Sequence, residues 1–547
     1  MTNSVNEILD AELLFVIGSN TTEAHPIIGN KMKQAVRNGT KLIVVDPRTT
    51  ELAAMADLHL RLRSGSDAAL INGMMHIILR EGWEDRAYIE ARTDGFEAVQ
   101  ELVKNYTPEV VSAITDIPED DLYEAAKLYA KHRKAGIFYT LGITEHTSGT
   151  SNVMNLANLA LITGHVGIES AGINPLRGQN NVQGACDMGA LPDVYPGYQK
   201  VTDPASIARF SEVWGVSVSE KLGLRIPEML DGAVAGDIRA MYVMGEDPVL
   251  TDPDANHVKK AFEAMEFVVV QELFMSETAK FADVILPAAC YAEKDGTFTA
   301  SERRVQRVRK AVEPPGQAKQ DWEIIVAIAK KMGAEGFDFL NSEEIFEEIR
   351  RVTPQYAGMT YERLEKERGL QWPCPTLDHP GTKYLHKGTF PRGKATMVPV
   401  EYKGPAEHVC DEYPILLITG RKLGHYNVTT RYSELLDSIN PFEEAEINPR
   451  EAEALGLSEH DTIRVTSRRG SIVTRVQITD RVKPGSMFMT FHYRESPVNE
   501  LTQSAFDPIT LTGEYKVSAV KIEKVEWKDA QYEDEVQRFK RLELLTE

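Results

Sequence analysis

The sequence has few cysteines and spaces them far apart. There are four, Cys186, Cys290, Cys374 and Cys410, and the nearest two are 36 residues apart. With no C-x-x-C pair, a local zinc site and a cysteine-ligated iron–sulfur run are excluded within these residues. Thiols this scattered fit a reducing compartment better than a disulfide framework, and a cytoplasmic protein is expected. A basic excess is lacking as well. The net charge of −21 argues against a nucleic-acid or anionic-membrane surface, both of which need Lys/Arg stripes. No apolar run approaches the roughly 18–20 residues of a membrane span. The first basic residue is Lys31 and no apolar core of a signal peptide precedes it. A Walker loop, H-E-x-x-H and G-x-S-x-G are also missing.

What is there reads as a folded protein of several domains. Hydrophobic residues make up 42 % and charged residues 26 %, which separates the chain from disordered sequences. At about 150 residues per domain, 547 residues make three or four. Ser4-Val5-Asn6-Glu7 has the form of a capping box and predicts a short helix. Residues 13–17 (LLFVI) and 41–46 (KLIVVD) read as buried strands, with a third at 58–62. Between the first two lies a helix that starts near Pro26 and ends at Asn38-Gly39. Helices are predicted at 67–80, 119–132 and 151–163, and a strand near 136–141. Alternating elements with continuous apolar strands imply a doubly wound α/β domain. The chain enters this pattern almost at residue 1, so Met1 is either a true start or lies inside a larger domain.

The pattern repeats. Residues 242–244 lead into Gly245-Glu246-Asp247-Pro248, a helix at 254–264, a strand at 267–270 and another at 283–286. Gly18 and Asp57 are 39 residues apart, and Gly245 and Asp283 are 38 apart. The strand ends Asp46 and Gln271 follow their glycines by 28 and 26 residues. Two related nucleotide-type half-sites are the reading we favour. Residues 371–412, rich in proline and glycine, read as a long surface linker. From 413 on, short strands follow one another, two of them joined by Arg468-Arg469-Gly470 as a tight hairpin. The expected fold is therefore α/β, with two Rossmann-like doubly wound domains (1–176 and 177–370) and a β-barrel domain (413–527). A charged terminal helix is expected at 528–547.

A glycine at the C-terminal end of a strand, before a helix, is where an α/β sheet can bind phosphate. Gly18-Ser19-Asn20 and Gly245-Glu246-Asp247 both fit, and either can equally be a bare turn. Asp46 can accept hydrogen bonds from a ribose or a guanine edge, and Arg48 can meet a phosphate; an ordinary loop ion pair explains both as well. His25 and His425 are each a donor to a phosphate or pterin-like ring, or a structural histidine. The run from Arg177 to Gly189 (RGQNNVQGACDMG) is unusual. It holds one cation and four amides without apolar periodicity. Such a run is expected to form a loop that presents amides and one guanidinium to a polar cavity, where Arg suits bidentate capture of a carboxylate or phosphate.

At that run the chain resembles the catalytic subunit of molybdenum- or tungsten-dependent formate dehydrogenases, within the molybdopterin oxidoreductases. The resemblance spans almost the whole sequence. It rests also on FVIGSNTTEAHP, VVDPR, MGEDP, FADVILPA, INPREAEALGL and SRRG. It implies a metal held by two molybdopterin guanine dinucleotides, one per α/β half. Gly18, Asn20, His25, Asp46 and Arg48 would hold one, and Gly245, Glu246, Asp247, Gln271, Thr278 and Asp283 the other. Gly178, Gln179 and Asn181 belong to the same set. Arg421, His425, Tyr426 and Asn499 would reach the pterins, and Arg177 would grip formate. The products are CO2, a proton and two electrons, and the electrons pass to an iron–sulfur subunit or to an NAD(P)- or hydrogenase-linked partner. The family's [4Fe–4S] cysteines and its Sec/Cys metal ligand have no counterpart here, so no metal ligand is assigned in this chain. They are expected upstream of Met1, and a selenocysteine codon read as stop would account for that. The chain as given is then expected to be inactive alone. Glu145 stands where the family often has Gln, and a carboxylate there needs a proton or a partner. The alternatives are a non-catalytic scaffold of the same fold and another molybdopterin oxidoreductase, such as a nitrate reductase or a hydratase.

Overall fold

Leu13–Ile17 and Ala135–Tyr139 are buried at every position, and Lys41–Val45 at every position but the first. Continuous apolar strands of this kind need cover on both faces, which a parallel sheet flanked by helices provides. They form an all-parallel sheet in the order Leu58–Leu60, Lys41–Val45, Leu13–Ile17, Ala135–Tyr139, Gly172–Pro175. The helix Pro26–Arg37 starts on its proline, and Gly39 beyond its end takes φ +103°. Asp67–Arg80, Glu119–Lys131 and Gly149–Ile162 are the other long helices of this half. Tyr129 meets Phe15 edge to face at 5.6 Å within the core. The strand order reverses between Leu13–Ile17 and Ala135–Tyr139. That switch point is where open α/β sheets leave a crevice.

The computed structural model describes residues 1–526; the helix expected at 528–547 lies outside the described residues. The chain forms two compact units, and they cut across the partition expected from the sequence. One unit comprises Thr2–Leu176, Pro248–Val258 and the described chain from His386 on. The other comprises Met1, Arg177–Asp247 and Lys259–Leu385. The barrel and the first α/β sheet thus share a unit, because buried charges tie them together, as described below. Six strands close the barrel in the order Ile415–Gly420, Ser486–Thr490, Glu444–Ile447, Ser471–Ile478, Thr462–Thr466, Ser518–Lys524. Leu417, Ile447, Ile463, Val465, Val476, Met487, Met489 and Val520 fill it. The hairpin at 468–470 is present, with Thr466 paired to Ser471.

The second unit carries a smaller parallel sheet, in the order Val284–Pro287, Phe267–Glu272, Ala240–Met244. The repeat seen in the sequence is a repeat of backbone bonds. Gly18 N donates to Val45 O, and Gly245 N donates to Gln271 O, each at 2.9 Å. Asp57 accepts from Leu42 N at 2.9 Å, and Asp283 accepts from Val268 N at 2.7 Å. The stretch 371–412 is more than a surface linker. Cys374, Met397 and Val400 are buried, and Ala395–Thr396 pairs with Thr93–Asp94. Few apolar residues suffice there because backbone bonds to buried amides, such as Asn72 Nδ2 to Val400 O at 2.8 Å, anchor it.

Candidate cofactor and substrate site

Gly18 ends its strand with φ +56°, at the switch point of the sheet. A Cβ on Gly18 would lie 2.7 Å from Gly142 C, and one on Gly142 would lie 2.6 Å from Gly18 Cα. Gly142 N donates to Gly18 O at 3.1 Å. The missing side chain of Gly18 therefore serves a crossing of two backbone segments, and the phosphate-approach reading is corrected to that extent. Asn20 precedes the one-turn helix Thr21–Ala24 and accepts a bond from Thr22 Oγ1 at 3.1 Å. Its Nδ2 is buried and has no partner among the described residues. His25 links that turn to the helix Pro26–Arg37. Asp46 accepts from Arg48 N at 2.9 Å, and burial pushes its carboxyl up to about 6.

Arg48 is bonded to the barrel. Its Nη2 donates to both oxygens of Glu446, at 2.8 and 2.9 Å, and its guanidinium lies 3.4 Å from the centroid of the Phe488 ring. This pair is buried and is an internal ion pair with the barrel. The doubt over Glu145 resolves in a similar way. Lys516 Nζ lies 2.5 Å from Glu145 Oε2 and also donates to Thr419 O at 3.0 Å. A lysine supplies the partner that a carboxylate in this position needs.

The barrel brings Arg421, His425 and Tyr426 to the same unit. Arg421 Nη1 donates to Ala24 O at 3.5 Å, which sets the residue beside His25 against the barrel loop. Its Nη2 donates to Asn427 Oδ1, and the guanidinium lies 5.6 Å from the Tyr426 ring centroid. His425 stacks on His492 with centroids 3.8 Å apart and planes 4° from parallel. Tyr493 OH meets His425 Nε2 at 3.2 Å, and His425 Nδ1 is buried with no partner among the described residues. Burial, reinforced by His492 and Lys422, pushes the His425 imidazole down to about 3, so it is neutral near pH 7. Asn499 is the exception. Its Nδ2 donates to Leu250 O and Thr251 O, at 3.1 and 2.9 Å, and so anchors a backbone turn.

In the second unit, the run expected as a loop contains a short helix, Val182–Asp187. Its buried face is polar, made of Gln183, Gly184, Cys186 and Asp187, which is why apolar periodicity did not reveal it. Gln179 and Asn180 are exposed, and Gly178 is half-buried. Asn181 takes φ +62° at the helix start, and its Oδ1 accepts from Thr299 N at 2.9 Å; it is an anchor for the run. Arg177 N donates to Ser301 Oγ at 3.2 Å, and its Nη1 donates to Cys186 Sγ at 3.2 Å.

Gly245 takes φ +64°, and a Cβ there would meet no described atom within 4 Å. Unlike Gly18, it leaves open space. Glu246 beside it is exposed. Asp247 accepts from both Thr278 N and Thr278 Oγ1 at 2.8 Å, so this pair holds the loop together. Gln271 is buried, takes a bond from Tyr242 OH and donates to Asp321 Oδ1 at 2.8 Å. Asp283 does not belong with them. It precedes its strand, at the opposite end of the parallel sheet from Gly245, about 13 Å away at the rise of an extended strand. Its carboxylate caps the neighbouring strand as Asp57 does in the first sheet.

Sequence reasoning missed His492, Tyr493, Lys516, Glu446 and Asp187. His492 and Tyr493 had a local signal, an FHY run straight after the strand Ser486–Thr490. Lys516 and Glu446 had none, because their partners are hundreds of residues away. No three His, Cys, Asp or Glu gather as a metal site among the described residues. No helix among the described residues is long and apolar enough to cross a membrane.

Comparison with known proteins follows these elements. Residues 1–331 match the family model of molybdopterin oxidoreductase, and residues 415–519 match the molydopterin dinucleotide binding domain. Over 531 residues the chain is 48 % identical to the F420-dependent formate dehydrogenase 2 subunit alpha of Methanococcus maripaludis, covering 96 % of this chain and 78 % of that one. It is 44 % identical over 533 residues to formate dehydrogenase H of Escherichia coli, covering 96 % and 74 %. Acetylene hydratase from Pelobacter acetylenicus has the same fold, with a TM-score of 0.73, 20 % identity, and coverage of 96 % of this chain and 81 % of that one. Each unit separately offers features that suit a polar cofactor. In the unit that holds the first sheet and the barrel, Asn20 Nδ2 and His425 Nδ1 are buried polar atoms without partners among the described residues. In the other unit, Gly245 has no described atom within 4 Å of an added Cβ.

Proposed function

The chain belongs to the molybdopterin oxidoreductase family, and on that premise we propose that it is the catalytic subunit of a formate dehydrogenase. The reaction is the two-electron oxidation of formate to CO2, or its reverse. Arg177 is the observation that carries this reading. Formate offers only a carboxylate and one C–H bond for recognition. A guanidinium held at a fixed place gives the carboxylate two parallel N–H donors and so aims the C–H bond. Arg177 heads a run with two exposed amides, Gln179 and Asn180, is tied at its backbone to Ser301 and at its guanidinium to Cys186, and occurs in a chain 44–48 % identical to formate dehydrogenases.

When bound, the family's molybdenum or tungsten bis-molybdopterin guanine dinucleotide supplies the two-electron acceptor. Asn20, His25 and Asp46 are the residues proposed to hold one guanosine end. Asn20 offers its amide hydrogens, and Asp46, raised by burial to about 6 and so mainly ionised near pH 7, offers acceptor oxygens. Gly245 and Glu246 take the corresponding place in the second unit, with Gln271 held internally by Tyr242 and Asp321, and with Gly178 and Gln179 beside Arg177. Arg421 supplies positive charge next to His25, and neutral His425 presents Nδ1 without adding a charge. Tyr426 stacks at the same loop. Gly18, Arg48, Asn181, Asp247, Thr278, Asp283 and Asn499 act behind these residues, by the internal bonds already described.

Electrons pass to a further subunit, and an iron–sulfur protein is the class we propose. F420, which appears in the name of the Methanococcus relative, is the final acceptor we favour over NAD(P) or a hydrogenase. The place of action is proposed as the cytoplasm, since all four cysteines are unpaired thiols. The test uses the holoenzyme purified from its native cells. Two guanine nucleotides per molybdenum or tungsten, and formate-driven reduction of a viologen dye, are expected. Guanine and metal present with turnover of nitrate but not formate would make it another oxidoreductase. Absence of both groups would make it a scaffold.

A further inference from the structure

Asp187 closes the helix Val182–Asp187 and is 1 % exposed. Its Oδ1 accepts from Gln183 Nε2 and from Tyr198 OH, both at 2.8 Å. Its Oδ2 accepts from Tyr356 OH at 2.5 Å and from Trp372 Nε1 at 2.8 Å. A carboxylate has about four lone-pair sites, and here four donors fill them. Such a buried charge persists only because its bonds are complete. The donors come from four separate stretches of chain: the helix itself, the loop after Val194–Tyr195, the turn Pro354–Tyr356, and the end of Leu370–Gln371. The bonds interlock further, since Gln183 Nε2 also donates to Tyr198 OH at 3.0 Å and Tyr356 OH meets Thr299 Oγ1 at 3.2 Å.

The residue before Asp187 is Cys186, also buried, and its sulfur takes the bond from Arg177 Nη1. The place of the Arg177 guanidinium therefore depends on where Cys186 sits, and Cys186 sits where Asp187 pins the helix. At the other end of the helix Asn181 is fixed to Thr299.

We propose that Asp187 is the positioning residue of substrate recognition: it locks the short helix and, through Cys186, sets the direction of the Arg177 guanidinium. This rests on reading Arg177 as the formate-binding cation. Asp187 never touches substrate. It acts by denying the helix the displacement of about 1 Å that can cost on the order of a hundredfold in a positioned reaction.

The test measures the formate KM, the dye KM, kcat and calorimetric formate affinity of the holoenzyme expressed in its native host. The variants are Asp187→Asn, Cys186→Ala, Tyr198→Phe and Arg177→Lys, alone and with Arg177→Lys combined with Asp187→Asn. Asn in place of Asp187 keeps the shape but turns an N–H group toward two donors. The formate KM and Kd are expected to rise about tenfold in Asp187→Asn and Cys186→Ala, and about threefold in Tyr198→Phe. The dye KM and the guanine content are expected to stay unchanged. On the Arg177→Lys background, Asp187→Asn is expected to add less than about twofold, because both act on one interaction. Unchanged formate affinity in a cofactor-loaded Asp187→Asn enzyme would overturn the proposal, as would a full tenfold effect on top of Arg177→Lys. If Asp187→Asn does not load cofactor, Tyr198→Phe decides by the same criterion. If Arg177→Lys itself leaves formate affinity unchanged, the formate reading fails first and takes this proposal with it.

Discussion

Arg48 and Glu446 are 398 residues apart in sequence and form a buried ion pair in which Nη2 donates to both carboxylate oxygens, with the guanidinium stacked on Phe488. Arg481 Nη1 approaches the same carboxylate at 3.4 Å. The pair is a joint between the first α/β sheet and the barrel. Removing one partner leaves the other charge buried, at a cost of about 3–5 kcal/mol, whereas replacing both by apolar residues can be near neutral. Glu446→Gln is expected to lower the melting temperature sharply, and Arg48→Met with Glu446→Leu to recover most of the loss. Differential scanning calorimetry checks this. A single variant as stable as wild type would show that the pair carries no weight.

The two repeat glycines are expected to respond differently to one added methyl group. Gly18→Ala meets the Gly142 backbone at 2.7 Å in addition to a left-handed φ, for a loss of about 2–5 kcal/mol. Gly245→Ala has the φ penalty alone, about 1–2 kcal/mol, because its Cβ points into open space. Unfolding midpoints would rank Gly18→Ala well below Gly245→Ala. Guanine content is expected to fall in Gly245→Ala even where the fold survives. Equal destabilisation with full guanine content would remove Gly245 from the site.

His425 makes stability depend on pH with a definite sign. The folded protein holds the imidazole neutral down to about pH 3, while the unfolded chain takes up a proton below the ordinary value of 6.5. Its contribution is thus complete above pH 6.5 and is lost as the pH falls from 6.5 toward 3. His425→Asn, which cannot take up that proton, is expected to melt with a shallower pH slope over this window, by up to one proton. An unchanged slope between pH 7.5 and 5 would mean that His425 is already charged in the folded state.

The sequence carried the fold well where local pattern decides it. The paired landmarks Gly18 with Asp57 and Gly245 with Asp283 are visible in one dimension because they mark equivalent backbone bonds. The same landmarks misled the site assignment. Asp283 repeats Asp57, a strand cap, and spacing alone does not tell which end of a strand a residue occupies. Arg48 was legible as a cation that needs an anion, but Glu446, its actual partner, is too distant in sequence to be inferred. The Arg177 run was legible by composition, while its helix was not, because Gln183 and Asp187 form a polar buried face at i, i+4. The boundaries of the compact units were illegible for a similar reason, since the barrel joins the first sheet through side chains rather than through adjacent sequence.

The central claim is that Arg177 binds formate. The most direct measurement compares the formate KM of cofactor-loaded wild-type and Arg177→Lys enzymes, with metal and guanine content determined on the same samples. Loss of a bidentate guanidinium contact is expected to weaken formate by about 2–5 kcal/mol, a rise in KM of about thirtyfold or more, with cofactor content unchanged. A lysine variant that binds and oxidises formate as wild type does would contradict the account.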